Sequence, residues 1–521
     1  MESEACCSLT LYLSVAVAGL LAYLIYKQFL TKETWDKYGV KRVSSTRIMF
    51  HDFKQATNKI LQEEGDTVGL DMSELLLLTR DLNILRQVMV KDFNNFVDRA
   101  VIIASNSPVE KGVFFLGGQD WKRVRHVITP SFSTGKLKLI TNFINESGVK
   151  LADVLAGYAK SDDLLDIKHV MGQFTGEIIA RTGFSLKTDC IGKLSDDDFT
   201  NFSKNMFVIP GKLVNFLMFI ILQSRWLHVL LVKKLKLYTF DSVSKDADEY
   251  FQTILHQTIE VRKQLALSGQ KPYTDLFQNL IAAKEAGEKE SKYTEGTPNN
   301  DSWDTLPKTM SEEELLGQSM FIIFAGFDTT ATTLQMCCYN LARHPDIDEK
   351  VYQEIQNVVK SDLPSYEEIQ QLMYMEQVIN ETLRLYPPAP IMTRRAAETR
   401  KYGNITIPKG AGVIISLDMV MRDPKHYPDP EKFDPDRFTE ENVAQRDPMT
   451  FMPFGHGPRQ CIGMRLAYIE LKYCLVHVLR KVKFELNERT EPTPDGEIEI
   501  LFNGTTFVKK PIMLAVRPRV V

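Results

Sequence analysis

Ten residues frame one cysteine: Phe454-Gly455-His456-Gly457-Pro458-Arg459-Gln460-Cys461-Ile462-Gly463, just before the amphipathic run Met464–Leu479. Glycines let a backbone approach a flat cofactor, and amides near a helix start stabilise a thiolate. That setting suits a cysteine ligand presented on a tight loop. A single cysteine is more often a small buried hydrophobe, the reading given to Cys337, Cys338 and Cys474. Zinc is disfavoured at Cys461, because no second Cys or His stands at ligand spacing and His456 is separated from it by Gly457 and Pro458.

Ala325-Gly326-Phe327-Asp328-Thr329-Thr330 places an acid and a hydroxyl in an otherwise apolar run. Burying them is costly without a purpose. One reading is a helix distortion at Gly326, with a threonine bonded to the preceding turn. Glu381-Thr382-Leu383-Arg384 sets an acid and a base at i, i+3 on one helix face, where a charge-assisted pair forms. The same spacing describes many solvated surface pairs. Trp121-Lys122-Arg123-Val124-Arg125 is equally at home on a surface.

Long elements must position these groups. Ser311-Glu312-Glu313-Glu314 reads as an N-cap with an acidic first turn. The helix it opens runs to about Leu341, about 45 Å, and Met320–Ala325 is apolar on every side, so it crosses the interior. Helical spacing recurs at Glu177–Phe184 and its flanks, Asp246–Leu267 and Tyr366–Leu385, which Tyr386-Pro387-Pro388 terminates. Short β patterns occur at Gly412–Ser416 and Ile498–Phe507. The polar stretch Lys284–Pro307 reads as a solvent-exposed loop. Leu213–Leu231 is apolar, broken at Ser224-Arg225 and followed by Lys233, Lys234 and Lys236. It fits a membrane-dipping helix pair or a buried helix hairpin.

At 521 residues the chain has room for a large core, and its net charge of −4 without a basic run argues against nucleic acid. Seven cysteines without regular spacing fit a reducing compartment better than a disulfide framework. From Cys6 to Tyr26 there is no charge. As a helix that stretch is about 30 Å long, enough to cross a bilayer core. Glu2 and Glu4 precede it and Lys27, Lys32 and Lys37 follow, which opposes a cleaved signal peptide and orients the rest of the chain toward the cytosol. Residues 1–30 are thus expected as an anchor and 31–521 as the catalytic domain. The several N-x-S/T sequons, such as Asn145–Ser147 and Asn503–Thr505, are then chance. No proline precedes Pro108.

The cysteine loop matches Phe-x-x-Gly-x-Arg-x-Cys-x-Gly, the haem-binding signature of cytochromes P450, at Phe454, Gly457, Arg459, Cys461 and Gly463. The other constellations match that family's Trp-x-x-x-Arg, oxygen-activation and Glu-x-x-Arg motifs, and Pro435-Asp436-Arg437-Phe438 matches its Pro-x-Arg-Phe segment. All five stand in the family's order. Thr129-Pro130-Ser131-Phe132-Ser133-Thr134-Gly135-Lys136-Leu137-Lys138 most resembles the microsomal members of vertebrate family 3 and insect families 6, 9 and 28.

The resemblance implies a mainly α fold with small β-sheets behind an N-terminal transmembrane helix. It implies haem b, with Cys461 as axial iron ligand and cofactor contacts from Phe454, Trp121, Arg125, Arg394, Arg459 and Ala325. Asp328 and Thr329 would relay protons, while Glu381, Arg384 and Arg437 would form a structural network. The implied reaction is insertion of one atom of O₂ into an apolar small molecule (xenobiotic, steroid, terpenoid or fatty acid). Electrons would come from NADPH through a separate NADPH–cytochrome P450 reductase, with cytochrome b5 as a second donor, at the cytosolic face of the endoplasmic reticulum membrane. No flavin or nicotinamide fingerprint is present in the chain. Lys122, Arg123 and Arg465 are candidates for the docking face. Substrate contacts are expected from Val101–Phe115, Leu213–Leu222, Phe324–Thr329, Pro390–Met392 and Asn503–Thr506, with Phe114, Phe115, Phe324 and Phe507 available. A peroxide isomerase or a catalytically silent haem carrier needs no acid–threonine pair, so Asp328-Thr329 argues against both.

Overall fold

Amphipathic stretches form helices α1 (Phe53–Glu64), α2 (Gly118–Ile128), α3 (Thr134–Ser161), α4 (Ile167–Phe184), α5 (Lys245–Leu267), α6 (Leu276–Glu290), α7 (Glu312–Arg343), α8 (Met373–Leu385) and α9 (Met464–Lys481). Short apolar runs form strands β1 (Arg42–Val43), β2 (Thr67–Asp71), β3 (Leu75–Thr79), β4 (Leu164–Asp166), β5 (Ile391–Arg395), β6 (Arg400–Tyr402), β7 (Ile405–Ile407), β8 (Gly412–Ser416), β9 (Val482–Glu485), β10 (Ile500–Asn503), β11 (Thr505–Val508) and β12 (Met513–Pro518). This computed structural model describes Gly19 and residues 34–519, apart from 49–50, 72–73, 101–104, 162, 194, 208–227, 238–240, 272 and 291–308. Among the described residues no helix is long and apolar enough to cross a membrane. The expected anchor Cys6–Tyr26, Gly19 excepted, and the expected substrate segment Leu213–Leu222 lie outside them.

The long helix forms where its sequence signals place it. Ser311 Oγ accepts from Glu314 N at 3.1 Å, and the Glu314 carboxylate accepts from Ser311 N at 2.8 Å, a reciprocal cap on the first turn. Helix α4 packs along α7 at close range. A Cβ at Gly326 would stand 3.0 Å from Ile179, and one at Gly176 3.4 Å from the Phe327 ring. Glycine on both helices thus lets the two backbones approach. Leucines, methionines and aromatics of α3, α4, α7, α8 and α9 then close one large core together with β12.

The main sheet runs β1-β2-β3-β8-β5, with β3 parallel to β8 and β5 antiparallel to it. Alternation along β5 buries Met392 and Arg394 together on one face. In place of proline, the chain ahead of this sheet is held by Trp35, fully buried, whose Nε1 donates to Leu70 O at 3.3 Å. A Cβ on Gly69 would stand 2.1 Å from the Trp35 ring, so glycine there makes room for the indole.

Two expectations need correction. The helical pattern Tyr366–Leu385 is two helices, Tyr366–Gln370 and α8. The Glu354 carboxylate accepts from Tyr374 N at 2.7 Å and Met375 N at 2.9 Å, capping a fresh start that a continuous helix would not need. The polar stretch from Lys284 is not loop throughout, since α6 continues to Glu290. Lys284 pairs with Glu312 at 2.7 Å, tying α6 to the first turn of α7.

Asn145 of the first sequon is buried; its Nδ2 donates to Pro364 O at 3.1 Å and its Oδ1 lies 2.8 Å from His477 Nε2. The His477 ring fills space that only Gly148 leaves, because a Cβ there would stand 2.5 Å from Cδ2. Burial, with Arg480 and Lys481 nearby, pushes the His477 imidazole down to about 4. The unfolded chain therefore takes up a proton that the fold refuses, and stability is lost as pH falls from about 6.5 toward 4. His477→Gln is expected to remove about 2 kcal/mol of the stability lost between pH 7 and 5. Unfolding of both proteins at the two pH values checks this; equal acid sensitivity refutes it.

Candidate active site

The cysteine loop is built on glycines in the left-handed region. Gly455 has φ 73° and Gly457 φ 74°, and a Cβ on Gly457 would stand 2.1 Å from Met89 O. Gln460 N donates to Gly457 O at 2.9 Å, and Cys461 N donates to Phe454 O at 2.9 Å, closing the loop ahead of α9. Phe454 itself packs on Tyr468 of α9, ring centroids 5.4 Å apart. The Cys461 side chain is accessible to solvent, yet burial raises its thiol pKa. Both hold only if the sulfur faces an enclosed space. The Gly463 amide, Arg125, Arg99 and the Met464 amide work against that rise and favour the thiolate.

Four arginines surround the same space. Trp121 and Arg125 share a face of α2, and Arg125 Nη2 donates to Gln460 O at 2.9 Å. Arg459 stacks on Trp121 at 4.2 Å and donates to Val97 O at 2.9 Å, Val113 O at 3.1 Å and Leu116 O at 2.6 Å. It is therefore also a clasp between the cysteine loop and the 97–116 segment. Arg394 is fully buried; Nη1 donates to Thr393 O at 2.8 Å, while Nε and Nη2 meet no acceptor among the described residues. Arg99, which sequence patterns did not single out, lies over the Phe114 ring at 4.0 Å with its Nε likewise unmet. Burial and mutual repulsion push Arg394 down to about 9, Arg459 to about 8, and Arg99 well below its ordinary value. Guanidinium does not give up its proton at neutral pH. The strain instead marks a place where anionic groups belong.

Helix α7 supplies the opposite wall. In its otherwise buried middle, Phe321, Phe324, Ala325, Gly326, Asp328 and Thr329 keep accessible surface. All but Gly326 fall at i, i+3, i+4, i+7 and i+8, so one stripe faces an internal space. Phe114 stacks on Phe321 at 5.4 Å, Phe115 meets Phe321 edge-on at 5.5 Å, and Phe207 meets Phe324 at 4.4 Å, lining that space with aromatic rings. Thr329 Oγ1 donates to Ala325 O at 2.7 Å, the bond to the preceding turn expected of a mid-helix threonine. Asp328 is not left bare. Lys168 of α4 lies 2.8 Å from Oδ1, and Thr505 Oγ1 donates to Oδ2 at 3.0 Å. Neither partner is legible in the sequence, since they come from distant elements. Glu470 of α9 is also unforeseen: buried beside Thr330, its carboxyl is pushed up to about 8.

Glu381 and Arg384 are both fully buried and joined by two bonds of 2.6 and 2.8 Å. Asp434 N donates to Glu381 at 2.9 Å, and Arg437 Nε stands 3.5 Å from the same oxygen, an ion-pair distance without hydrogen-bond geometry. This network ties α8 to the segment preceding the cysteine loop. The docking expectation needs revision at Arg123, which bonds to Glu314 and donates to Thr309 O at 2.7 Å. Its charge is met internally; Arg465 remains exposed.

A mainly helical fold carrying an accessible loop cysteine beside clustered, partly unmet guanidinium groups, with an aromatic-lined stripe on a buried helix, suits the binding of an anionic ligand. The family model described as "Cytochrome P450" matches residues 45–514. "Probable cytochrome P450 6a14" of Drosophila melanogaster is 28% identical over 518 residues, covering 95% of this chain and 97% of the relative. "Cytochrome P450 3A30" of Fundulus heteroclitus is 29% identical over 513 residues, 97% of each, and "Cytochrome P450 3A41" of Mus musculus 30% over 464 residues, 88% and 86%. The chain belongs to the cytochrome P450 family, and it resembles the vertebrate family 3 and insect family 6 members. It is accordingly a monooxygenase whose cofactor is haem with a cysteine thiolate, fed by NADPH-derived electrons through a redox partner and acting on a small molecule.

The residues present fit that cofactor. Haem carries two carboxylates, and the unmet Nε and Nη2 of Arg394 and Nε of Arg99 are the donors they require. Arg99→Ala is expected to speed haem loss to an apomyoglobin acceptor roughly tenfold. An unchanged transfer rate would remove Arg99 from the cofactor site.

Proposed function

We propose that Cys461 is the axial haem ligand and that Asp328 and Thr329 deliver protons, in a monooxygenase acting on an apolar small molecule such as a xenobiotic, steroid, terpenoid or fatty acid. The observation that carries this is an accessible Cys461 on the glycine loop beside a cluster of buried arginines, together with accessible Ala325, Asp328 and Thr329 on an otherwise buried helix. When bound, haem supplies the activation of dioxygen, so that RH + O₂ + NADPH + H⁺ gives ROH + H₂O + NADP⁺.

The chain's own residues do the rest. Amides of Gly463 and Met464, with Arg125 and Arg99, favour the thiolate of Cys461 against the opposing effect of burial. Arg394 and Arg99, together with Trp121, Arg125 and Arg459, would hold the cofactor through its carboxylates. Ala325 keeps the α7 wall low, leaving room for dioxygen. Phe114, Phe115, Phe321 and Phe324 exclude water and select an apolar substrate. Thr329 Oγ1 and the Asp328 carboxylate are the polar groups on the stripe able to pass a proton, which scission of dioxygen consumes.

Electrons reach the site from NADPH–cytochrome P450 reductase, with cytochrome b5 as a second donor, and Lys122 and Arg465 are the basic residues offered to such acidic partners. The uncharged stretch Cys6–Tyr26 anchors the protein in the endoplasmic reticulum membrane, catalytic domain toward the cytosol.

Reduction under carbon monoxide is expected to give the red-shifted Soret band of thiolate-bound haem, and Cys461→Ala to abolish it. A band that survives that substitution assigns the ligand elsewhere. Thr329→Ala is expected to keep the band while product per NADPH falls roughly tenfold and peroxide rises. Unchanged coupling would count against the relay.

A further inference from the structure

Both oxygens of the Asp328 carboxylate are held by side chains from outside its helix. Lys168 Nζ lies 2.8 Å from Oδ1, and it also donates to Asp328 O at 3.1 Å and to Thr332 Oγ1 at 2.5 Å. An ammonium that meets a carboxylate, a carbonyl and a hydroxyl of one helix turn is fixed in place, unlike a lone surface ion pair. Thr505 Oγ1 donates to Oδ2 at 3.0 Å. Thr329, meanwhile, donates to its own helix at Ala325 O and is not aimed at Asp328.

Thr505 opens β11, directly after the β10–β11 turn at Gly504, whose φ is 77°. The hairpin is pinned further out by Phe502 N on Asp52 Oδ2 at 2.8 Å, and on the Thr506 side by N on Pro388 O at 2.8 Å and Oγ1 on Pro387 O at 2.7 Å. Between those pins, Thr505 is the point where the expected substrate turn Asn503–Thr506 touches the acid.

We propose that Lys168 and Thr505 are positioning residues for proton delivery, holding Asp328 by one oxygen each, and that Thr505 makes the orientation of this carboxylate depend on the hairpin that contacts substrate. The proposal rests on the relay reading of Asp328 and Thr329. With the carboxylate held, two electrons of NADPH convert RH and O₂ to ROH and H₂O. With it loose, the same two electrons leave as peroxide: O₂ + NADPH + H⁺ gives H₂O₂ + NADP⁺.

The test uses the full-length, haem-loaded chain and four variants: Thr505→Val, Thr505→Ser, Lys168→Met and Lys168→Arg. In the resting ferric protein, Thr505→Val is expected to speed amide hydrogen exchange across residues 500–508 about fivefold, the worth of one hydrogen bond, and Thr505→Ser to leave it unchanged. Turnover is then measured with reductase, using whichever of progesterone, limonene and lauric acid gives most product. Thr505→Val and Lys168→Met are expected to raise the peroxide share severalfold with the carbon monoxide band intact, and Thr505→Ser and Lys168→Arg to restore coupling. A merely structural role would not sort the variants by hydroxyl and by charge in this way. Unchanged hairpin exchange in Thr505→Val overturns the tie. If Thr329→Ala uncouples but Thr505→Val and Lys168→Met do not, this inference fails and the relay stands. If Thr329→Ala is coupled as well, the relay reading itself falls.

Discussion

Guanidinium groups packed into one interior space, with donors that no described carboxylate meets, are the constraint on which the rest of the structure turns. Arg99, Arg125, Arg394 and Arg459 converge there from the 97–116 segment, α2, β5 and the cysteine loop. Desolvation makes each unfavourable on its own, and their proximity makes the set worse. A fold tolerates such a cluster when it is rigidly held and when a bound anion offsets it. Carbonyls of Val97, Val113 and Leu116, the Trp121 ring and the β5–β8 pairing supply the rigidity. In the proposed site the carboxylates of haem would supply the anion and so tie this part of the molecule to its cofactor.

The opposite wall answers a different requirement. A helix that crosses an interior is ordinarily sealed on every side, and α7 is sealed except along one stripe. Close approach of α4, allowed by Gly172, Gly176 and Gly326, brings Lys168 to the back of that stripe. One consequence is that the acid of the stripe is never an isolated buried charge. Its counter-ion sits on a neighbouring helix and its second bond on a distant hairpin, so the orientation of this carboxylate is tied to packing far along the chain.

Away from both, the buried Glu381–Arg384 pair orders the segment that leads to the cysteine loop. Both side chains are removed from water, and the cost is met by two mutual bonds, the Asp434 amide and the Met421 carbonyl. Removing one partner would strand the other, which is why such a pair locks the segment before the loop into one arrangement.

Much of this protein is legible in the order of its residues. The capped long helix, the glycine loop around Cys461 and the Glu381/Arg384 pair can be read there because local signals encode them: cap residues, left-handed positions and i, i+3 spacing. Membership of the family follows from those motifs in order. Packing of the whole chain was needed to bring Arg99 into the arginine ring, to neutralise Arg123 with Glu314, and to grip Asp328 between Lys168 and Thr505. The break before α8 belongs with them, since its cap comes from Glu354 on another helix. In each case the partners lie far apart along the chain. Periodicity and capping report on neighbours within a few residues, whereas a counter-ion's identity is set by which helices pack together, and that is fixed only when the whole core closes.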